Sequence, residues 1–210
     1  RRQELEAAAE QLSSERKAQA LQLEKAIETE LKDLNFAEVQ FQIHFDKLTD
    51  YTADGVDDVE FLISMNPGQP VKPLAEVASG GELSRTMLAI KTVMADRDEI
   101  ETLIFDEIDV GISGRTAQKV SEKMAVIGKN HQVICITHLA QIAAQADQHY
   151  LIEKTVDGGV TRTEIRKLSE EESIDELARI LGGAEITETV RMSAREMKSM
   201  VKSNAVKNKK

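Results

Sequence analysis

The first part of the chain has the hydrophobic spacing of a long, mostly polar helix. Residues 1–34 contain neither Gly nor Pro. Near their end, apolar side chains recur at helical intervals, at Leu23, Ile27, Leu31 and Leu34. Such a narrow stripe is typical of one strand of a coiled coil, although it breaks near Arg16. We therefore expect a coiled-coil helix over residues 1–34 and a globular lobe over residues 35–210.

The spacing then changes from helical to alternating. Every second position of the next segment is apolar: Val39, Phe41, Ile43 and Phe45. This alternation predicts a strand with one buried face. Asp54-Gly55 predicts a turn, so residues 59–65 are expected to pair with this strand as a β-hairpin. Asn66-Pro-Gly-Gln-Pro should end the hairpin.

From residue 79 onward, helical and strand patterns alternate. Helices are predicted at residues 82–95, 113–127, 139–144, 169–181 and 187–201, and strands at residues 102–105, 133–136, 150–153 and 160–166. Ser169 and Glu172 form a capping-box pair, and Gly182-Gly183 is a helix stop. Asp157-Gly158-Gly159 is expected to join the last two strands. Alternation at these lengths predicts an α/β sheet.

Composition and charge narrow the choice of partners. The 210 residues are 41% hydrophobic but only 3% aromatic, without Trp, so the core must consist of aliphatic residues, Ala and Met. The formal net charge is −10, whereas an isolated DNA-binding domain is usually basic. Any DNA contact would need a local basic cluster or residues outside this chain. One cluster is C-terminal, at Arg195, Lys198, Lys202, Lys207, Lys209 and Lys210, and its alternative interpretation is a solvated tail.

The single cysteine and the absence of long apolar runs bear on the compartment. Cys135 lies in an apolar segment, so we expect a buried structural thiol, as in a reducing cytoplasm. No apolar run approaches the roughly 18 residues of a membrane span, and no secretory signal opens the chain. We therefore expect no membrane partner. Because Arg1 is not a natural start, we also expect a piece of a longer protein.

Two acidic residues follow the strand predicted at residues 102–105, which we expect to be buried. Asp106 and Glu107 would thus lie at the carboxyl end of a strand, where α/β sheets bind ligands. The first acid could hold Mg²⁺, directly or through water, and the second could polarise an attacking water. The alternative is a pair of acids that simply face solvent.

Two further segments carry weaker signals. Ser79-Gly80-Gly81 leads into a helix whose free N–H groups and dipole favour an anion, although the same residues also cap ordinary helices. Thr137-His138 follows the strand at residues 133–136, and a lone histidine there is more often structural. In order and spacing, however, the three segments match the signature, Walker B and switch-histidine motifs of ABC-type ATPases.

Within that class, the chain resembles the RecN family of SMC-like bacterial DNA-repair proteins. The segments that carry the resemblance are residues 76–85, 105–114, 136–143 and 176–183. It extends from about residue 30 to the C-terminus, and Ala78, where many ABC-type ATPases have Leu, is accepted in RecN-like sequences. The resemblance implies the α/β, C-terminal lobe of an ABC-type (P-loop NTPase-like) ATPase head. Residues 1–34 would be the returning helix of its coiled coil.

The resemblance also implies roles for single residues. Asp106 would hold the Mg²⁺ of ATP, Glu107 would orient or activate the attacking water, and His138 would contact the γ-phosphate. Asp109 would cross the interface with a second head. The signature residues would bind the ATP of that opposite head: Ser79, Gly80, Gly81 and Glu82. ATP would then join two heads in a homodimer, and in RecN-like proteins this cycle is linked to DNA binding and double-strand-break repair.

One motif of this class does not occur in the chain. None of the 210 residues forms a Gly-x-x-x-x-Gly-Lys-[Ser/Thr] phosphate loop, which SMC-like proteins carry in an N-terminal lobe. We therefore expect that lobe as a partner, no activity by the chain alone, and a bacterial, nucleoid-associated location. The alternatives are a catalytically silent coiled-coil interaction module and another SMC-like or transporter ATPase. Glu107 favours the enzyme, because a silent head would tolerate Gln or Ala there.

Overall fold

Helix α1 (Arg2–Asp33) changes from exposed to buried along its length. The computed structural model describes residues 1–157, 160–183 and 185–207. Ile27 and Leu31 are fully buried, as is Leu34 just beyond the helix, whereas Leu5, Leu12 and Leu21 are exposed. The helix expected over residues 1–34 is therefore present, and its last turns belong to the core. Its pairing in a coiled coil stays a prediction.

A long hairpin follows α1. Strands β1 (Gln40–Thr52) and β2 (Gly55–Ser64) are antiparallel, with Phe41 opposite Ile63, and β3 (Lys72–Pro73) pairs with β2. The turn at Gly55 is as predicted, with a φ of +99° that favours glycine. Both strands of the hairpin are longer than expected, because its far end packs against α1, where Val56 is buried and Asp57 pairs with Arg16. A short 3₁₀ helix (Leu74–Glu76) then leads to the next unit.

The remaining elements alternate as predicted, with shifts of a few residues at their ends. They are α2 (Gly80–Met94), β4 (Thr102–Phe105), α3 (Gly114–Ile127), β5 (Gln132–Cys135), α4 (Ala140–Ala143), β6 (Tyr150–Asp157), β7 (Val160–Lys167), α5 (Glu170–Gly182) and α6 (Glu188–Lys207). Strands β4 and β5 are parallel, whereas β6 and β7 are antiparallel. In the described residues the strands form three small sheets, β1-β2-β3, β4-β5 and β6-β7, rather than one.

Two apolar clusters hold these elements together. The larger one joins α1, α2 and α3 to the hairpin and β4, around Leu31, Phe41, Leu88, Ile108 and Ile127. The smaller one joins α4, α5 and α6 and is built largely of alanines with Ile174 and Leu177. Lys123 of α3 pairs with Glu30 and Asp33 of α1, which fixes the end of α1 against α3. As the composition predicts, both cores are mainly aliphatic.

Two expectations about burial need correction. Strand β4 is buried on one face only: 67% of Ile104 is exposed, and Ile134 and Ile136 are exposed on the same side of the two-stranded sheet. Cys135 is half-buried rather than fully buried, since it faces the core from the edge strand of that sheet. Burial still raises the pKa of its thiol to about 12, which makes it a poor nucleophile.

Part of the predicted C-terminal basic cluster and one predicted turn lie outside the described residues. Arg195 pairs with Glu171, and Lys198 donates to Ser173, so these two basic residues contact α5. The other members of the predicted basic cluster have side chains outside the described part: Lys202, Lys207, Lys209 and Lys210. The predicted turn at Gly158-Gly159 also lies outside it. No helix of the described residues is long and apolar enough to cross a membrane.

The burial gradient along α1 predicts unequal effects of the same substitution. Leu31→Ala should lower the free energy of unfolding by about 2–5 kcal/mol, because Leu31 is fully buried in the larger cluster. Leu21→Ala is the matched control in the same helix, since 60% of Leu21 is exposed, and should change it by less than about 0.5 kcal/mol. Urea unfolding measures both values. Equal losses would show that α1 is not anchored through its C-terminal turns.

Candidate functional site

The acid pair lies where the sequence predicts it, at the carboxyl end of β4. Asp106 and Glu107 are both exposed, and Oδ1 of Asp106 accepts a hydrogen bond from the Glu107 N–H at 2.9 Å. Glu107 has a φ of +57°, in the left-handed region that non-glycine residues seldom adopt. Such a backbone conformation persists only where neighbouring groups hold it. The contacts of this segment therefore determine where the Glu107 side chain lies.

The signature segment begins α2 and lies against the acid pair of the same chain. Ser79 is the N-cap, and its Oγ accepts from the Glu82 N–H at 3.4 Å. A methyl group on Gly80 would lie 2.1 Å from Oε2 of Glu107, and one on Gly81 would lie 3.0 Å from the Glu107 carbonyl oxygen. Because Gly80 and Gly81 have no side chains, the start of α2 can lie close to Glu107. The Glu107 carboxylate therefore lies near the positive end of the α2 dipole.

Two more side chains of α2 hold the backbone that follows the acid pair. Ser84 Oγ donates to the Asp106 carbonyl at 2.7 Å. Arg85 donates through one nitrogen to the carbonyls of Ile108, at 3.3 Å, and Val110, at 2.8 Å. The whole segment 106–110 is thereby fixed to α2. Ser84 and Arg85 belong to the segment 76–85 that carries the resemblance, and both lie one helical turn beyond the glycine pair, but neither was predicted to have this role.

The side chain of Arg85, which makes two of these hydrogen bonds, is buried. Its guanidinium lies 5.4 Å from the ring centre of Phe36, within the range of a cation–π contact. Its Nε is buried and has no hydrogen-bond partner among the described residues. Burial lowers the pKa of Arg85 from its ordinary value, but an arginine stays protonated in proteins. The desolvation of this charge is offset by the carbonyls it binds, by the ring and by the negative charge of Glu82.

Asp109 joins the ends of the two parallel strands. Its Oδ2 accepts from Thr137 Oγ1 at 2.6 Å and from the His138 N–H at 2.8 Å, and lies 3.0 Å from His138 Nδ1. Only 4% of the Asp109 side chain is exposed, against 72% of that of His138. The donors at the end of β5 turn its carboxylate inward, and the expectation that Asp109 crosses to a second head stays a prediction.

The arrangement fits a magnesium ion that keeps much of its hydration. Residues 1–157, 160–183 and 185–207 contain no cluster of three or more His, Cys, Asp or Glu side chains that could hold a metal ion. Mg²⁺ often needs only one or two carboxylates, with waters and substrate phosphates as its other ligands. Asp106 is exposed at a strand end and could supply one such oxygen. The donor set therefore fits a nucleotide-bound Mg²⁺ rather than a protein-enclosed one.

Two curated relatives show what this chain is similar to in sequence. The DNA repair protein RecN of Halalkalibacterium halodurans is 44% identical over 200 residues, which are 93% of this chain and 35% of that protein. RecN of Vibrio cholerae is 43% identical over 192 residues, which are 91% of this chain and 35% of that protein. The chain thus spans about a third of the length of the curated relatives it matches. No family model matches it.

Solved structures show the fold. The Smc head domain with a coiled coil from Pyrococcus yayanosii aligns with 77% of this chain and 29% of its own, at a TM-score of 0.52 and 23% identity. The Smc head domain with an extended coiled coil from Pyrococcus furiosus aligns with 79% of this chain and 39% of its own, at a TM-score of 0.50 and 23% identity. The predicted α/β fold of an ABC-type head lobe is therefore confirmed.

The two glycines of α2 should respond differently to a methyl group. Gly80→Ala meets only the mobile end of the Glu107 side chain, so the alanine's better helix propensity should leave stability unchanged or raised. Gly81→Ala meets the Glu107 backbone, which Ser84 and Arg85 hold in place, and should be less stable than Gly80→Ala by roughly 1–3 kcal/mol. Denaturant unfolding of the two variants measures the difference. The same stability for both would contradict the rigid contact between α2 and segment 106–110.

Proposed function

The chain belongs to the RecN family, of whose curated members it spans about a third, and we propose that it forms half of an ATP-hydrolysing head in bacterial DNA repair. The observation that carries this proposal is the close assembly of three motifs. The α2 N-terminus contacts Glu107, α2 side chains hold the segment after it, and Asp109 links that segment to Thr137-His138. Three unrelated structural motifs would have no reason to form one connected cluster.

The acid pair would divide the chemistry between two carboxylates. Asp106 would hold the Mg²⁺ of ATP, which screens the charge of the phosphates during transfer. Glu107 would orient or activate the attacking water, and its left-handed backbone and exposed carboxylate support this assignment. His138 would contact the γ-phosphate, and the exposure of its ring leaves it accessible for that contact.

The N-terminus of α2 would bind a second nucleotide. Gly80 and the Ser79 N-cap place an anion-binding helix end at the surface, and Glu82 lies in its first turn. We propose that it binds the γ-phosphate of ATP held by a second head, so that ATP joins two heads. In the nucleotide-free chain the carboxylate of Glu107 lies against this helix end. An arriving phosphate would repel that carboxylate and direct it toward the water at its own site.

The uncovered face of the β4-β5 sheet would receive the rest of the head. Ile104, Ile134 and Ile136 form an exposed apolar strip on two parallel strands, and parallel sheets are normally covered on both faces. The chain also has no phosphate loop of its own. We propose that the N-terminal lobe of the same protein, which would carry that loop, packs on this strip and completes the ATP site.

DNA would be a partner of the complete protein. The net charge of −10 argues against an extended DNA surface on this chain, so residues of the missing lobe, the coiled coil or the basic C-terminus would make the contact. The repair role proposed here comes from the RecN relatives. It would place the protein in the bacterial cytoplasm, at the nucleoid.

Substitution of Glu107 in the full-length protein tests the proposed function. Glu107→Gln keeps the shape but not the basicity of the side chain, so ATP hydrolysis should fall roughly 10²–10⁴-fold. Binding of ATP should persist, and the ATP-dependent pairing of heads should become longer-lived. Phosphate release measures the first effect, and sedimentation velocity with and without ATP measures the second.

Glu101→Gln is the matched control, since it lies at the other end of β4 and is also exposed. It should leave turnover and pairing unchanged. Turnover near the wild-type rate in Glu107→Gln would remove Glu107 from the mechanism. Loss of pairing in the same variant would contradict the role of ATP as the link between heads.

A further inference from the structure

We propose that Asp109 is a positioning residue that fixes the proton and the orientation of the His138 ring, an assignment that rests on the proposed function. The basis is a single buried oxygen. Oδ2 of Asp109 meets the His138 N–H and the His138 Nδ1, at 2.8 and 3.0 Å, and thus binds both the backbone and the ring of one residue. Two contacts to one atom restrict the ring more than either contact alone.

The carboxylate is itself held from both sides. The carbonyls of the residues before and after it, Ile108 and Val110, accept from the buried guanidinium of Arg85. On the other side, Thr137 Oγ1 donates to Asp109 Oδ2 at 2.6 Å and accepts from the Leu139 N–H at 3.0 Å. Arg85 therefore fixes the backbone on both sides of Asp109, and Thr137 and His138 fix its carboxylate. A carboxylate fixed in this way imposes its geometry on the exposed ring.

The contact determines which ring nitrogen carries the proton. A neutral imidazole has one N–H and one acceptor nitrogen, and an ionised carboxylate is only an acceptor. Nδ1 lies 3.0 Å from Oδ2 of Asp109, where a proton on Nδ1 is favoured over a lone pair that faces the negative oxygen, and Nε2 is then the acceptor nitrogen of the neutral ring. In a neutral ring Nε2 accepts from a water, and it donates to a phosphate oxygen when the ring is also protonated there. Without Asp109, the ring would be free to rotate and to exchange its tautomer.

The tautomer can be measured in the 210-residue chain without any ATP hydrolysis. The imidazoles are labelled with ¹⁵N, and their NMR signals are recorded at a pH high enough for the rings to be neutral. The chain has four histidines, and the signals that disappear in His138→Gln belong to His138. Wild-type His138 should be the Nδ1–H form. Asp109→Ala should shift it toward the Nε2–H form that a free histidine side chain prefers, and Asp109→Asn, which keeps the shape and a weaker acceptor, should give a mixture.

Thr137→Val is the matched control. It removes another hydrogen bond to the same Oδ2 but leaves the contact to Nδ1, so the tautomer should stay Nδ1–H. If Asp109 merely stabilised the loop, Thr137→Val and Asp109→Asn would act alike on the ring. An Nε2–H ring in the wild type would overturn the proposal, as would an unchanged ring in a folded Asp109→Ala or Asp109→Asn variant.

Hydrolysis by the full-length protein supplies the second readout. Asp109→Asn should lower turnover by roughly 10–100-fold, the scale seen when the carboxylate partner of a metal-binding histidine is lost. The effect should appear in kcat more than in KM, since Asp109 is buried away from the nucleotide. If His138→Gln lowers turnover and Asp109→Asn does not, the positioning role is wrong. Absence of hydrolysis in the wild-type protein would instead refute the proposed function, while the tautomer measurement would still decide the role of Asp109.

Discussion

The site depends on how the carbonyl groups of segment 106–110 are satisfied. After β4 the chain leaves the sheet. The carbonyls of Glu107 and Asp109 accept from the N–H groups of Val110 and Ile112 in the same turn, and the other three need donors from elsewhere. Helix α2 provides them through Ser84 and the buried Arg85, which together bind the carbonyls of Asp106, Ile108 and Val110. The contact to the Ile108 carbonyl is buried, and a buried acceptor without a partner costs about 1–3 kcal/mol. Together the three hydrogen bonds fix the path of the segment.

The hydrogen bonds from Ser84 and Arg85 also link two parts of the site that are separate motifs in the sequence. The helix end that would face a second head and the acid pair of its own site are parts of one hydrogen-bonded unit. Through Asp109 the unit extends to the end of β5 and the His138 ring. A phosphate arriving at α2 would therefore act on Glu107 directly and on His138 through fixed contacts. Such a contiguous network would provide a physical basis for coupling between the two sites of the proposed head pair.

The sequence predicted the elements better than it predicted their contacts. Helical and alternating spacing located α1, the hairpin and the later helices, because these patterns are local and each reflects one buried face. The motif residues Asp106, Glu107 and Ser79 were placed at the correct strand and helix ends for the same reason. Local patterns do not encode which distant donor binds a given carbonyl, so Ser84 and Arg85 were missed. The donors to the Asp109 carboxylate were missed for the same reason, since they lie 28 and 29 residues away in the chain.

The central claim is that this chain is one half of an ATP site. The most direct test is phosphate release from ATP by the purified 210-residue chain, alone and mixed with the segment of the same protein that carries the phosphate loop. The chain alone should match the buffer blank, because the contacts that such a loop makes to the triphosphate are missing from its sequence. The mixture should hydrolyse ATP. Robust turnover by the chain alone would contradict the account.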